Sequence, residues 1–117
     1  MLLVEDEAAI AILVEDMLNQ LGYQVAATAG SVRRALELAE LDTFDVAILD
    51  ANLAGLPIDP VARRLAERRI PFAIITGYSK DGLHENLRDR PVITKPFRVD
   101  ELRTGLALLR EESQDLP

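Results

Sequence analysis

The chain has 117 residues, 49% of them apolar, and no cysteine. That size supports one domain burying roughly two thirds of its unfolded surface, and the lack of thiols excludes both a disulfide framework and a thiolate metal site. With 20 acids against 13 bases the formal net charge is −7, which repels phosphate backbones and anionic lipid, so neither nucleic acid nor a membrane is expected as the main partner.

No apolar run approaches the about 18 residues of a membrane span, and the start, Met1-Leu2-Leu3-Val4-Glu5, lacks a basic, cleavable signal. A cytoplasmic protein is the expectation. Leu2-Leu3-Val4 is a short apolar run ending on Glu5-Asp6, where acids suit the start of a following helix. Ile10, Leu13, Val14, Met17, Leu18 and Leu21 recur at helical spacing, and Gly22 stops the pattern. Residues 23–29 alternate loosely and hold enough Val and Thr for a strand. Gly30-Ser31 breaks it, and Ser31 is the expected N-cap of a helix over 32–41 with Val32, Ala35, Leu36 and Ala39 on one face.

Asp45-Val46-Ala47-Ile48-Leu49-Asp50 reads as a strand buried on both faces that ends on a carboxylate and runs into turn-like residues 51–55. Asp59-Pro60 predicts a cap followed by proline at the first helical position. The helix it opens runs through Val61, Ala62, Leu65 and Ala66 to Arg69, and Pro71 keeps it from continuing. Arg63-Arg64 and Arg68-Arg69 read as its solvated face. Phe72-Ala73-Ile74-Ile75 is a second doubly buried strand, ending on Thr76 and followed by Gly77-Tyr78. Residues 79–90, with only Leu83 and Leu87 at helical spacing, predict a short, weakly packed helix. Pro91-Val92-Ile93-Thr94 is a last short strand before Lys95-Pro96-Phe97. Residues 99–112 close the domain as an amphipathic helix with Leu102, Leu106 and Leu109 on one stripe and Leu108 near it. The domain is thus expected over 1–112, with 113–117 as a tail.

Alternating strands and helices imply parallel pairing through right-handed crossovers: an α/β, doubly wound sheet in the order 2-1-3-4-5 with helices on both faces. The carboxyl ends of strands one and three are then neighbours, so Glu5, Asp6 and Asp50 should crowd one pocket. Two unit charges about 5 Å apart at an effective dielectric near 20 cost on the order of 3 kcal/mol, so the cluster calls for a counter-charge. Mg²⁺, a hard cation that takes carboxylate, carbonyl and water oxygens and keeps a side open for phosphate, fits. Lys95 and the Thr76 hydroxyl, on neighbouring strand ends, could supply a cation and a donor to that phosphate. Read singly, Asp50 is a turn former, Lys95 a solvated lysine, Thr76 a loop residue and Glu5-Asp6 helix-start acids. Their joint arrival at one edge favours the pocket.

The ordered set Glu5-Asp6, Asp50, Thr76 and Lys95-Pro96-Phe97 resembles the receiver domain of bacterial two-component response regulators, over essentially the whole chain. The resemblance implies the flavodoxin-like (βα)5 three-layer sandwich. It also implies that Asp50 accepts a phosphoryl group from a histidine kinase or phosphotransfer protein, that Asp6, Asp50 and the Asn52 carbonyl hold Mg²⁺ with Glu5 acting through a coordinated water, and that Thr76 and Lys95 bind the phosphoryl oxygens. In the family the bond before Pro96 is usually cis. Output would be contact with a downstream protein, by a monomer or a weak dimer, through helix four, strand five and helix five.

Two departures stand out. The position three residues before the lysine, usually an aromatic that swings inward, is Val92. Pro71-Phe72-Ala73-Ile74-Ile75-Thr76-Gly77-Tyr78 resembles instead the "FAT GUY" subgroup of single-domain receivers, with Ile74-Ile75 in place of the name-giving Phe-Ala. Gly77, Tyr78, Val92 and Pro96 are therefore the expected switch and output positions, and the signal is expected to pass from Thr76 and Gly77 into residues 79–90. A receiver cut from a larger regulator or hybrid kinase would read the same way. An aspartate-nucleophile phosphatase would need a second acid two residues after Asp50, where Asn52 stands. A degenerate, non-phosphorylated receiver is disfavoured because the acids are all present. His84, the lone histidine, reads as a solvated loop residue.

Overall fold

The computed structural model describes residues 1–40, 44–53, 56–77, 90–95 and 97–114, without the side chains of 52, 56–57 and 110–114. Its strands are β1 (Leu2–Val4), β2 (Ala27–Ala29), β3 (Ala47–Asp50), β4 (Asn52–Leu53), β5 (Leu56–Pro57), β6 (Phe72–Thr76) and β7 (Val92–Thr94). Its described helices are α1 (Ala8–Gln20), α2 (Val32–Glu40), α3 (Asp59–Glu67) and α4 (Val99–Gln114). Five strands form one sheet in the order β2-β1-β3-β6-β7, every neighbouring pair parallel. With the small β4–β5 pair set aside, this is the expected order 2-1-3-4-5.

Because successive side chains of a strand leave opposite faces, the sheet carries a separate core on each side. Leu2, Val4, Ala47, Leu49, Phe72 and Ile74 point to one face, where they meet Ala35, Leu38 and Ala39 of α2 and Val61, Ala62 and Leu65 of α3. Leu3, Ile48, Ala73, Ile75 and Ile93 point to the other, against Ala11, Val14 and Leu18 of α1 and Leu102, Leu106 and Leu109 of α4. Burial of β3 and β6 on both faces explains their unbroken apolar runs.

Several elements depart from expectation for identifiable reasons. β2 is only three residues long. Tyr23, expected in the strand, closes α1 instead: its N–H reaches Leu18 O at 2.9 Å while Gly22 takes φ 90°, a Schellman ending that needs a left-handed residue. α3 ends at Glu67, short of Arg69, by the same device. There the Ile70 N–H bonds Leu65 O at 2.9 Å and Arg69 itself takes φ 59°. At its start Ile58, not Asp59, is the cap residue, and Asp59 and Pro60 are the first two helical residues. Ser31 caps α2 as expected, its Oγ accepting the Arg34 N–H at 3.1 Å. α4 runs to Gln114, past the expected end at 112. Leu13, read as core, is exposed, since the apolar stripe of α1 is wider than its contact with the sheet. The helix expected over 79–90 lies, apart from Arg90, outside the described residues.

The arginines of α3 are not all solvated as expected. Arg64 grips both carboxylate oxygens of Glu40, and Arg68 Nη1 donates to Ala39 O at 2.8 Å and Glu40 O at 3.0 Å. Arg68 thereby satisfies carbonyls at the end of α2 that have no intrahelical partner.

Candidate phosphoacceptor site

The sheet register assembles the site. Val4 pairs with Leu49, Asp50 with Ile75, and Thr76 with Thr94, so Glu5, Asp50, Thr76 and Lys95 all lie at or just beyond the carboxyl edge of adjacent strands. Backbone bonds lock that edge: Ala51 N–H to Ile75 O at 2.9 Å and Lys95 N–H to Thr76 O at 2.7 Å. Glu5 and Asp6 precede α1, whose cap residue is Glu7 and whose first turn holds no acid. The helix-start reading of these two acids is therefore set aside.

Glu5, Asp6 and Asp50 each bring a carboxylate oxygen within 4.8 Å of the others. Glu5, Asp50 and Thr76 are buried, while Asp6 is exposed, so the cluster opens to solvent on the Asp6 side. Lys95 Nζ donates to Asp50 Oδ2 at 3.2 Å and lies 3.9 Å from Glu5 Oε2. One ammonium thus faces two buried carboxyls. Glu5 Oε1 is buried without a hydrogen-bond partner. Burial first, then hydrogen bonding and charge repulsion from Asp50, raise the Glu5 carboxyl to about 8, against the opposing pull of Lys95 and the Glu7 backbone. An orphaned oxygen in a crowded carboxylate cluster is the donor set expected for a hard divalent cation with oxygen ligands.

After Asp50, where a plain turn was expected, β4 and β5 form a two-stranded antiparallel pair in which Asn52 pairs with Pro57 and Leu53 with Leu56. Leu53, the last residue of β4, and Ile58, the residue after β5, are buried in the core, which holds the backbone beside Asn52. Two-residue strands are too short for a periodic signal, so this element was not legible. Gly77 is exposed, and among the described residues outside its chain neighbours none comes within 4 Å of where a Cβ would sit. Val92 is half-buried beside the first core. Tyr78, Pro96 and the bond before Pro96 lie outside the described residues.

Residues 1–107 match the family model of the response regulator receiver domain. The chain belongs to this family. Among relatives of this receiver, the transcriptional regulatory protein PdtaR of Mycobacterium tuberculosis is 33% identical over 92% of the chain, which spans 54% of PdtaR. The chain thus covers about half the length of that relative. The solution structure of SdrG from Sphingomonas melonis Fr1 superposes with a TM-score of 0.84 at 44% identity, covering 93% of each chain. The receiver domain of the sensor histidine kinase PA1611 from Pseudomonas aeruginosa, whose structure carries a magnesium ion in its active-site cleft, superposes at 0.78 with 25% identity over 97% of this chain and 96% of that one. The protein is therefore a two-component signalling domain. Among the described residues, no helix is long and apolar enough to cross a membrane.

Proposed function

We propose that this receiver accepts a phosphoryl group on Asp50 from the phosphohistidine of a kinase or phosphotransfer protein. The observation that carries the reading is the buried Asp50 carboxylate, held by Lys95 at 3.2 Å inside a cluster of three acids at the sheet's carboxyl edge. A carboxylate oxygen of Asp50 forms the new bond to phosphorus as the phosphorus–nitrogen bond breaks, and the imidazole leaves with the electron pair and takes up a proton. Water later attacks phosphorus, releasing inorganic phosphate and restoring the carboxylate, so the chemistry is limited to the receiver's own loading and unloading.

Phosphoryl transfer has a loose transition state with charge on its equatorial oxygens, so positioning and neutralisation supply most of the catalysis. Lys95 and the Thr76 hydroxyl would bind those oxygens. Asp6, Asp50 and the Asn52 carbonyl would hold Mg²⁺, with Glu5 acting through water; when bound, the ion supplies charge neutralisation for the phosphoryl oxygens. The magnesium in the PA1611 receiver supports this assignment. Output is by protein contact in the cytoplasm, and the signal runs from Thr76 and Gly77 toward Tyr78 and residues 79–90, since Val92 offers no aromatic to swing.

Incubation with acetyl phosphate and Mg²⁺ should add one phosphoryl group, seen as a single mass increment. The Asp50→Asn variant should add none; full labelling of that variant sinks the assignment.

A further inference from the structure

The stripe of α4 that faces the sheet has a gap in it. Leu102, Leu106 and Leu109 are buried there, and the remaining position of that face, completing the spacing i, i+3, i+4 and i+7, is the buried Gly105. Glycine is a poor helix former, and backbone conformation does not call for it, since among the described glycines only Gly22 has a positive φ. The approach of β7 does. A Cβ on residue 105 would lie 2.9 Å from Ile93 Cδ1 and 3.1 Å from Ile93 Cγ1, both inside ordinary van der Waals contact. Ile93 has little room to step aside: it is 4% exposed in the second core, and its branched Cβ holds Cγ1 in place.

Ile93 stands two residues before the lysine of the acid pocket. β7 is an edge strand with β6 as its one neighbour in the sheet, so α4 as well as the ladder sets where it lies. Ile93 pairs with Ile75 and Thr94 with Thr76, and the Lys95 N–H continues the ladder to Thr76 O at 2.7 Å. Residues two apart on a strand leave the backbone on the same side. A push on Ile93 from α4 is therefore passed toward Lys95, whose Nζ holds Asp50 Oδ2 at 3.2 Å.

We propose that Gly105 is a positioning residue for Lys95: it lets α4 lie against Ile93 without displacing it, and so sets where β7 delivers the Lys95 ammonium to Asp50 and to the phosphoryl group. The inference rests on the reading of Asp50 as the acceptor, and adds a residue that touches neither the acids nor that group. Misplacing a reacting group by about 1 Å can slow a reaction about 100-fold. A shift of a few tenths of an ångström at β7 should thus be read as a several-fold loss of rate.

The test moves one methyl group across the contact. Gly105→Ala adds it, Ile93→Val removes Cδ1, and the double variant conserves the total volume. With acetyl phosphate and Mg²⁺, Gly105→Ala should label Asp50 about fivefold more slowly, Ile93→Val at close to the wild-type rate, and the double variant within about twofold of wild type. Alanine is the better helix former, so the urea midpoint of Gly105→Ala should stay near that of wild type, which separates a misplaced lysine from a loosened fold. In ¹H–¹³C spectra the Lys95 Cε resonance should move in Gly105→Ala and return in the double variant. An unmoved Lys95 resonance, an unchanged labelling rate, or a slowing that Ile93→Val fails to reverse or that follows a fall in urea midpoint would each overturn the inference. Equal labelling of Asp50 in wild type and Gly105→Ala removes the positioning inference alone. If wild type takes no label the acceptor reading fails, and the Lys95 resonance still decides whether Gly105 places the lysine.

Discussion

Replacing Glu5 by Gln should stabilise the metal-free protein, and by an amount that grows with pH. Glu5 is buried, its Oε1 has no hydrogen-bond partner, and its carboxyl lies within 4.8 Å of Asp6 and Asp50. Its pKa is raised from 4.5 to about 8, so between those values the folded state holds a proton that the unfolded chain has released. Its contribution is fully present below about pH 4.5 and is lost as pH rises through about 8. The loss runs at about 1.4 kcal/mol per pH unit, so wild type should lose roughly 2–3 kcal/mol between pH 6 and pH 8. Repulsion between two carboxylates at this separation gives a similar figure, about 3 kcal/mol at an effective dielectric of 20, before the partial offset by Lys95. The Gln variant carries no such component. Urea denaturation in EDTA at pH 6 and pH 9 should therefore show a stability difference that is small at the lower pH and larger by about 2 kcal/mol at the higher. Millimolar Mg²⁺ should reverse the order at pH 9, since an ion bound only by the folded state adds stability and wild type has the more anionic site. A difference that is the same at both pH values would refute the clustering argument.

Lys95→Ala removes a charged hydrogen bond of about 1.5–3 kcal/mol; the domain should stay folded by circular dichroism while acetyl phosphate labelling drops. Arg69→Gly should raise urea stability by about 0.5 kcal/mol, because relief of a left-handed residue, about 1–2 kcal/mol, exceeds the added chain entropy of glycine, about 0.5–1. Ser31→Ala should cost about 1 kcal/mol through loss of the α2 cap, measured in the same way. On beryllofluoride binding, Thr76 and Gly77 amides should shift together with residues 78–90; changes confined to the surroundings of Asp50 would refute the proposed signal route.

What was legible in the chain follows from how each residue is buried. Ala47–Asp50 and Phe72–Thr76 announced themselves because burial on both faces leaves no polar position to interrupt the run. Strand order followed from the alternation of elements, and with it the convergence of Glu5, Asp6, Asp50, Thr76 and Lys95. Less was visible where tertiary contact overrides local pattern. Leu13 fits the helical stripe yet faces solvent, and Arg69 adopts a conformation its side chain disfavours because Ile70 must turn into the core. Glu40 with Arg64, and Arg68 with the end of α2, are separated by too many residues for any local pattern to join them. The lone oxygen of Glu5 depends on packing that no spacing encodes.

The acids of the pocket come from the beginning and middle of the chain, and their cation from near its end. During synthesis Glu5, Asp6 and Asp50 leave the ribosome well before Lys95, so the first strands to pair bring like charges together before their counter-ion exists. Docking of β7 then closes contacts across 45 residues, between Lys95 and Asp50, after most of the loop entropy has been spent. Completion of the domain is in this sense electrostatically gated. Divalent cation present while the chain folds should speed its early steps, by standing in for a lysine that has not yet arrived.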